Sequence, residues 1–351
     1  MKQQPEEWLD QQSEAALRAT VPSSLSAASI ALYARWWQFE TWLRELIYVE
    51  FRAAYGAKWA THVASGYRQN LDASSLKHMT SADVDNPLAY LDSRKLFDLI
   101  AGEWFRFEHS LIDIEAWNGR RDELQKIRHR VMHLRQPHAD DLARIEQTLR
   151  DLERGAFIAL ASYNRRRTPK KSEHTDPVSD GWLHRKHFRA HLIQHADAQY
   201  GATVLIETSK RPWLPTWPTD LSQEPGVFWH LTVMFRDRTI DPAQLWRELE
   251  DPRFRDLLVH LLVVDPYHAE FTFSAVDGQL VPDAIGYALE AMLVCSRFVR
   301  DIGEVDFDGV RRRATGIDYR VLPDSGWSLV SDDTVPICIF GAGGGVSSVP
   351  S

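Results

Sequence analysis

Ala31-Leu-Tyr-Ala-Arg-Trp-Trp-Gln-Phe-Glu-Thr-Trp-Leu-Arg-Glu-Leu46 carries its large apolar residues at the spacing of a helix. Trp36, Phe39, Leu43, Leu46, Ile47 and Phe51 recur near the helical period, so one long helix is expected over Leu25 to Tyr55, with Gly56 as its stop. Working outward, a second helix is expected over Ser93 to Ile112, burying Leu96, Ile100, Trp104, Phe107 and Leu111. A third fits Arg121 to Leu134, with Leu124, Ile127, Val131 and Leu134 as its stripe and Pro137 beyond its end. A fourth fits Asp140 to Tyr163, with Leu142, Ile145, Leu149, Leu152 and Leu160 inward and Asp140 or Asp141 as cap. Residues 1–163 therefore read as an α-helical four-helix bundle.

Beyond it the pattern changes. Residues 164–180 hold Asn164-Arg-Arg-Arg-Thr-Pro-Lys-Lys, without periodicity, and read as a basic linker or an arm for RNA backbone. Residues 181–330 read as an α+β domain. It has a helix over Trp182 to Tyr200, strands at Thr203–Thr208, Val227–Phe235 and Glu270–Val276, and a hairpin signal at Asp277-Gly278. Helices fit Pro242–Glu250, Pro252–Val263 and Pro282–Val299. Residues 331–351 read as a strand followed by a glycine-rich tail that lacks the Lys-Ser/Thr of a phosphate loop.

Chemistry concentrates at the end of the third helix, in Lys126-Ile-Arg-His-Arg-Val-Met-His-Leu-Arg135. Arginine is a permanent cation shaped to hold phosphate oxygens, and histidine moves protons near neutral pH. Between Gly119 and Arg135 stand six Arg/Lys against only Asp122 and Glu123, within a chain of formal net charge -8. That cationic face is a candidate phosphate-binding patch, the alternative being a solvated helix surface. Arginine five residues before histidine occurs twice, at Arg128/His133 and Arg255/His260. The second lies in an apolar run and reads as a core segment with a satisfied histidine.

The first helix, Leu96-Phe-Asp-Leu-Ile100 and Ile127-Arg-His-Arg-Val-Met-His-Leu-Arg-Gln-Pro137 resemble the HEPN superfamily of ribonucleases over about residues 24–163. Its motif is arginine, a polar residue, three variable residues and histidine, which Arg128, His129 and His133 match. The resemblance implies a HEPN-like bundle and an RNA-cleaving site. It further implies work as a toxin or abortive-infection effector in antiphage defence, often as a homodimer. Where a subset of the family has a tyrosine two residues after the histidine, this chain has Arg135.

RNA carries its own nucleophile, the 2′-hydroxyl, so its cleavage needs a base, an acid and positive charge on the phosphorane. The expected catalytic residues are Arg128, His133 and His129, with Lys126, Arg121, Arg130 and Arg135 holding RNA and neither metal nor cofactor required. Arg128 and His133 diverge by roughly 140° on an ideal helix. With His133 as the one well-placed histidine, a homodimer is expected to supply a second across a two-fold axis, with Trp36, Trp37 and Trp42 as candidate contacts. A non-catalytic HEPN-like RNA-binding or adaptor protein is the alternative.

His184, His187, His191 and His195 would form one stripe on a continuous helix, the basis of a third reading as a metal enzyme. Arg185, Lys186 and Arg189 beside them oppose a cation, so no metal is expected there. The lack of a long apolar run or secretory leader, with two cysteines in apolar surroundings, suggests a cytoplasmic protein with reduced thiols and no membrane partner. A trigger protein or antitoxin is an expected partner.

Overall fold

A computed structural model describes residue 15 and residues 27–63, 86–133, 135–169, 176–300 and 305–323. It is a mixed fold, an N-terminal helical region followed by a five-stranded sheet. Leu134, Cys338 and the expected strand and tail of 331–351 lie outside the described residues.

Helix α1 (Ala27–Tyr55) buries Leu32, Trp36, Phe39 and Leu43 as its spacing demands. From Leu46 to Ala54 it is buried all round, the mark of a helix running through the interior. Its far end is enclosed by the sheet region. The Tyr48 hydroxyl donates to the Val259 carbonyl at 2.8 Å. Arg52 donates to the carbonyls of Asp256 and Leu257, at 2.8 and 2.7 Å. Gly56, at φ 57, ends the helix, and a Cβ there would lie 2.4 Å from Asp277 Oδ1.

The second expected helix is broken in two. α2 (Ser93–Gly102) starts at Asp92, whose side chain accepts from the Lys95 amide, and α3 (Trp104–Phe107) is a single turn. At Glu103 the backbone leaves the helix (φ -130, ψ 38), and its carboxylate takes the Tyr55 hydroxyl and the Arg106 guanidinium. α4 (Ile114–Met132) begins seven residues earlier than expected, capped by Asp113, and buries Trp117, Leu124 and Ile127. α5 (Asp141–Asn164) buries Ile145, Leu149, Leu152, Ala159 and Tyr163. Asp140 caps nothing with its side chain; Asp141 is the bonded residue. α1 packs against α2, α4 and α5.

The expected basic linker is not free chain. Arg167 exchanges backbone hydrogen bonds with Thr208, at 2.9 and 2.8 Å. Arg166 reaches Glu270 at 2.5 Å and Thr232 at 3.2 Å. Residues 170–175 lie outside the described residues.

The expected Trp182–Tyr200 helix is instead a π turn (Ser179–Leu183), irregular chain with Arg185 at φ 59, and α6 (Leu192–Tyr200). β1 (Ala202–Lys210), β2 (Val227–Phe235) and the two-residue β3 (Arg238–Thr239) follow. Then come α7 (Pro242–Glu248), α8 (Pro252–Leu257), β4 (Leu258–Asp265) and β5 (His268–Ser274). The described residues close with α9 (Val281–Cys295), β6 (Arg297–Phe298), α10 (Phe307–Ala314) and β7 (Val321–Pro323). The main sheet runs β1-β2-β5-β4-β7, antiparallel except for the parallel β4/β7 pair, and β3 pairs with β6.

Three expectations change here. The segment Leu258–Val263 is a strand, because Leu261 and Val263 pair with β5. Asp277-Gly278 is part of a 3-10 turn into α9 rather than a hairpin. α9 stops at Cys295 instead of Val299.

Successive strand residues face opposite ways. Trp229, Leu231, Val233, Phe271 and Phe273 share one core with α9, while Phe228 and Val259 join the core of the helical region. Cys295 lies in the first core as a free thiol that burial pushes up to about 11, so it is an inert packing group. Among the described residues, no helix is long and apolar enough to cross a membrane.

Candidate active site

α4 presents Asp122, Gln125, Lys126 and His129 at three- and four-residue spacing, so they share one face. With Arg130 and Arg135 they line an open cleft of about 570 Å³. Asp122 and Gln125 are lining residues that the charge pattern of the sequence did not single out. Their common helix face was the available signal.

His129 lines this cleft, and a second imidazole, His133, packs against it from outside the lining. His133 is the C-cap of α4, one turn after His129, and the ring centroids lie 4.4 Å apart at 66°. Both side chains are exposed. Removal of water by neighbouring protein atoms, with the charges of His133, Arg135 and Arg128, holds His129 below its ordinary pKa and so favours its neutral form.

The arginines divide by role. Arg130 is expected above to hold RNA, but it is bound bidentately to Asp141, with Nε 2.7 Å from Oδ2. Burial pushes Asp141 up, yet the hydrogen bonds from Arg130 and the His138 amide outweigh it and hold the carboxyl below its ordinary range. Arg130 is thus a clamp between α4 and α5 whose charge is largely neutralised. Arg121 lies 3.8 Å from Asp122. Lys126 and Arg135 line the cleft, with no acidic partner among the described residues. Arg128 is half-buried, and its enclosed Nε has no hydrogen-bond partner among the described residues. Neither Arg128 nor His133 lines the cleft itself; each stands beside His129, which does, and the Arg128 charge helps to hold His129 below its ordinary pKa.

The histidine stripe does not form, because the chain is not helical between Leu183 and Leu192. His184 bonds Asp180, His187 bonds Asp283 and stacks on Trp182, and His195 packs on Tyr200. No group of three or more potential metal ligands occurs among the described residues.

A second polar cluster, missed in the sequence, lies on the sheet face beneath α1 and α5. It is a chain of contacts: Ser209 Oγ to His230 Nε2 at 2.7 Å, His230 Nδ1 to Thr272 Oγ1 at 3.0 Å, and Tyr163 hydroxyl to Thr272 at 2.7 Å. The same hydroxyl lies 3.0 Å from His260, whose other nitrogen is 3.0 Å from Glu45. Ser209 and His230 have a nucleophile–base spacing but are fully buried, so this layer joins helices to sheet. His260 is the core histidine its sequence context suggests.

Burial, then the charge of Arg166, hold His230 well below its ordinary pKa. It stays neutral when folded but takes a proton at ordinary pH once unfolded. Stability is therefore expected to fall as pH drops below about 6.5. Urea midpoints of the wild type should decline more steeply from pH 7 to pH 5 than those of His230→Gln. Parallel declines would assign the acid sensitivity elsewhere.

Compared with protein families, curated proteins and solved structures, the chain matches none.

Proposed function

We propose that this chain is a metal-independent endoribonuclease with a HEPN-like four-helix arrangement in its N-terminal region. The observation that carries the reading is the contact between His129 and His133 beside a cationic cleft. His129, kept neutral by its surroundings, takes the 2′-hydroxyl proton as that oxygen attacks the adjacent phosphorus. The P–O5′ bond breaks, and His133 gives its proton to the departing 5′-oxygen. Lys126 and Arg135 hold the phosphate, and Arg128 adds fixed charge that favours the phosphorane. Rotation of exposed imidazoles is fast, so the contacting rings can part to flank a phosphate. The products are a 2′,3′-cyclic phosphate and a 5′-hydroxyl.

The acid–base pair is complete in one chain, so a homodimer, expected above to supply the second histidine, has no such role. Its expected contacts also change: Trp36 and Trp42 are buried, and only Trp37 is exposed, beside Ile30 and Tyr33. The motif's resemblance supports work as a cytoplasmic toxin or antiphage effector, with the sheet region selecting RNA, sensing a trigger or docking an antitoxin. The adaptor reading draws on the failure of Arg128 to line the cleft.

Single-stranded RNA incubated with the protein in EDTA should yield cyclic-phosphate ends, and one 2′-deoxy substitution should block cleavage at that position. Binding without cleavage would establish the adaptor reading, and cleavage only with added divalent metal would overturn the mechanism.

A further inference from the structure

The cleft has two chemically different ends. Towards the C-terminus of α4 it carries the His129 imidazole and the Arg135 cation; towards the N-terminus it offers a carboxylate and an amide, Asp122 and Gln125. Asp122 stands about 10 Å along the helix from His129, two turns away. A carboxylate is acceptor-only and repels phosphate, so its presence in a phosphate-binding cleft calls for a ligand group rich in donors.

Its neighbours show what an otherwise employed carboxylate looks like here. Glu123 is held by Arg120 and Arg144, and Asp151 by Arg120, in a network joining α4 to α5. Among the described residues Asp122 has only Arg121, at 3.8 Å, beyond hydrogen-bond distance, and its side chain is 77% exposed. Its carboxylate, at the cleft wall, is open to a ligand.

Resting on the ribonuclease reading above, we infer that Asp122 and Gln125 select a guanine next to the scissile phosphate. Guanine alone among the four bases presents two adjacent donors, N1–H and the 2-amino group, beside an acceptor, O6. The Asp122 carboxylate accepts both donors, and the Gln125 amide donates to O6. Adenine and cytosine each set one amino group beside an acceptor, and uracil sets one N–H between two acceptors, so none satisfies both carboxylate oxygens. Unstacked bases of single-stranded RNA are read along this edge.

The test uses four short single-stranded RNAs that differ only in the base beside the cleaved bond, and their 2′-deoxy counterparts for binding. Wild type should favour guanine by about tenfold or more in kcat/KM and in affinity. Inosine, lacking the 2-amino group, should lose most of that advantage. Asp122→Asn should reduce the preference to about threefold or less, the loss falling on the guanine RNA, with inosine and guanine then nearly equal. Cleavage with no base preference, or a preference unchanged in Asp122→Asn, overturns base selection. Guanine-selective binding without cleavage refutes the ribonuclease reading and leaves base selection standing; neither cleavage nor selective binding refutes both.

Discussion

His129→Ala and His133→Ala should each lower kcat for RNA cleavage by about 10²–10⁴-fold, the range that positioned acid–base groups supply. Both side chains are exposed at the end of α4, so neither change should alter the circular dichroism spectrum or the melting temperature appreciably. The pH profile separates the roles. A base works only when neutral, so wild-type activity should rise through the pKa of His129. Its surroundings put that limb below about 6.5. His129→Ala should erase that acidic limb, whereas His133→Ala should leave it in the residual activity. Arg128→Ala, acting through charge alone, should cost about 10²-fold and move the acidic limb slightly upward, because the Arg128 charge is the least of the causes holding His129 down. Mixing His129→Ala with His133→Ala chains should restore nothing if the pair acts within one chain. Recovery would show a site shared between two copies, and full activity in either single variant would remove the pair from the mechanism.

Long amphipathic segments were legible from local pattern. α1 ends where Gly56 says it should, and β2 occupies the expected Val227–Phe235, because burial imposes a regular spacing within each segment. Leu258–Val263 was not legible. A short apolar run suits a helix or a strand equally, and its partner β5 decided the matter. The histidine stripe failed for a related reason. Four histidines align only if the helix between them is continuous, and Arg185 in the left-handed region belongs to irregular chain. At the candidate site the cationic face and both histidines were visible in the sequence. The contact between the two rings needed the helix end to be placed at Met132, so that His133 caps it beside His129. The capture of Arg130 by Asp141 was hidden because it spans the turn between two helices.

Arg211→Ala should destabilise the protein by about 3–5 kcal/mol, the largest stability effect expected of a single change here. Arg211 and Glu50 are both fully buried, one just beyond the end of β1 and the other in the fully enclosed stretch of α1. Arg211 Nη2 donates to Glu50 Oε1 at 2.5 Å, and its Nε lies 3.1 Å from each carboxylate oxygen. Trp213 donates its indole N–H to Glu50 at 2.6 Å, and Arg211 reaches the Ala159 carbonyl of α5 at 3.3 Å. Removing the cation strands a buried carboxylate with one neutral donor, and the cost is that stranded charge rather than the worth of the pair. A double change, Glu50→Leu with Arg211→Met, fills similar volume without charge and should recover most of the loss, short of the hydrogen bond Trp213 then lacks. Because this cluster fastens helices to sheet, urea unfolding should be a single transition by tryptophan fluorescence and by far-ultraviolet circular dichroism. If Arg211→Ala fails to fold, the double variant still decides the matter. A double variant as unstable as the single one would mean that packing, not an unpaired charge, sets the cost, and separate midpoints for the two probes would show helices and sheet to be independent units.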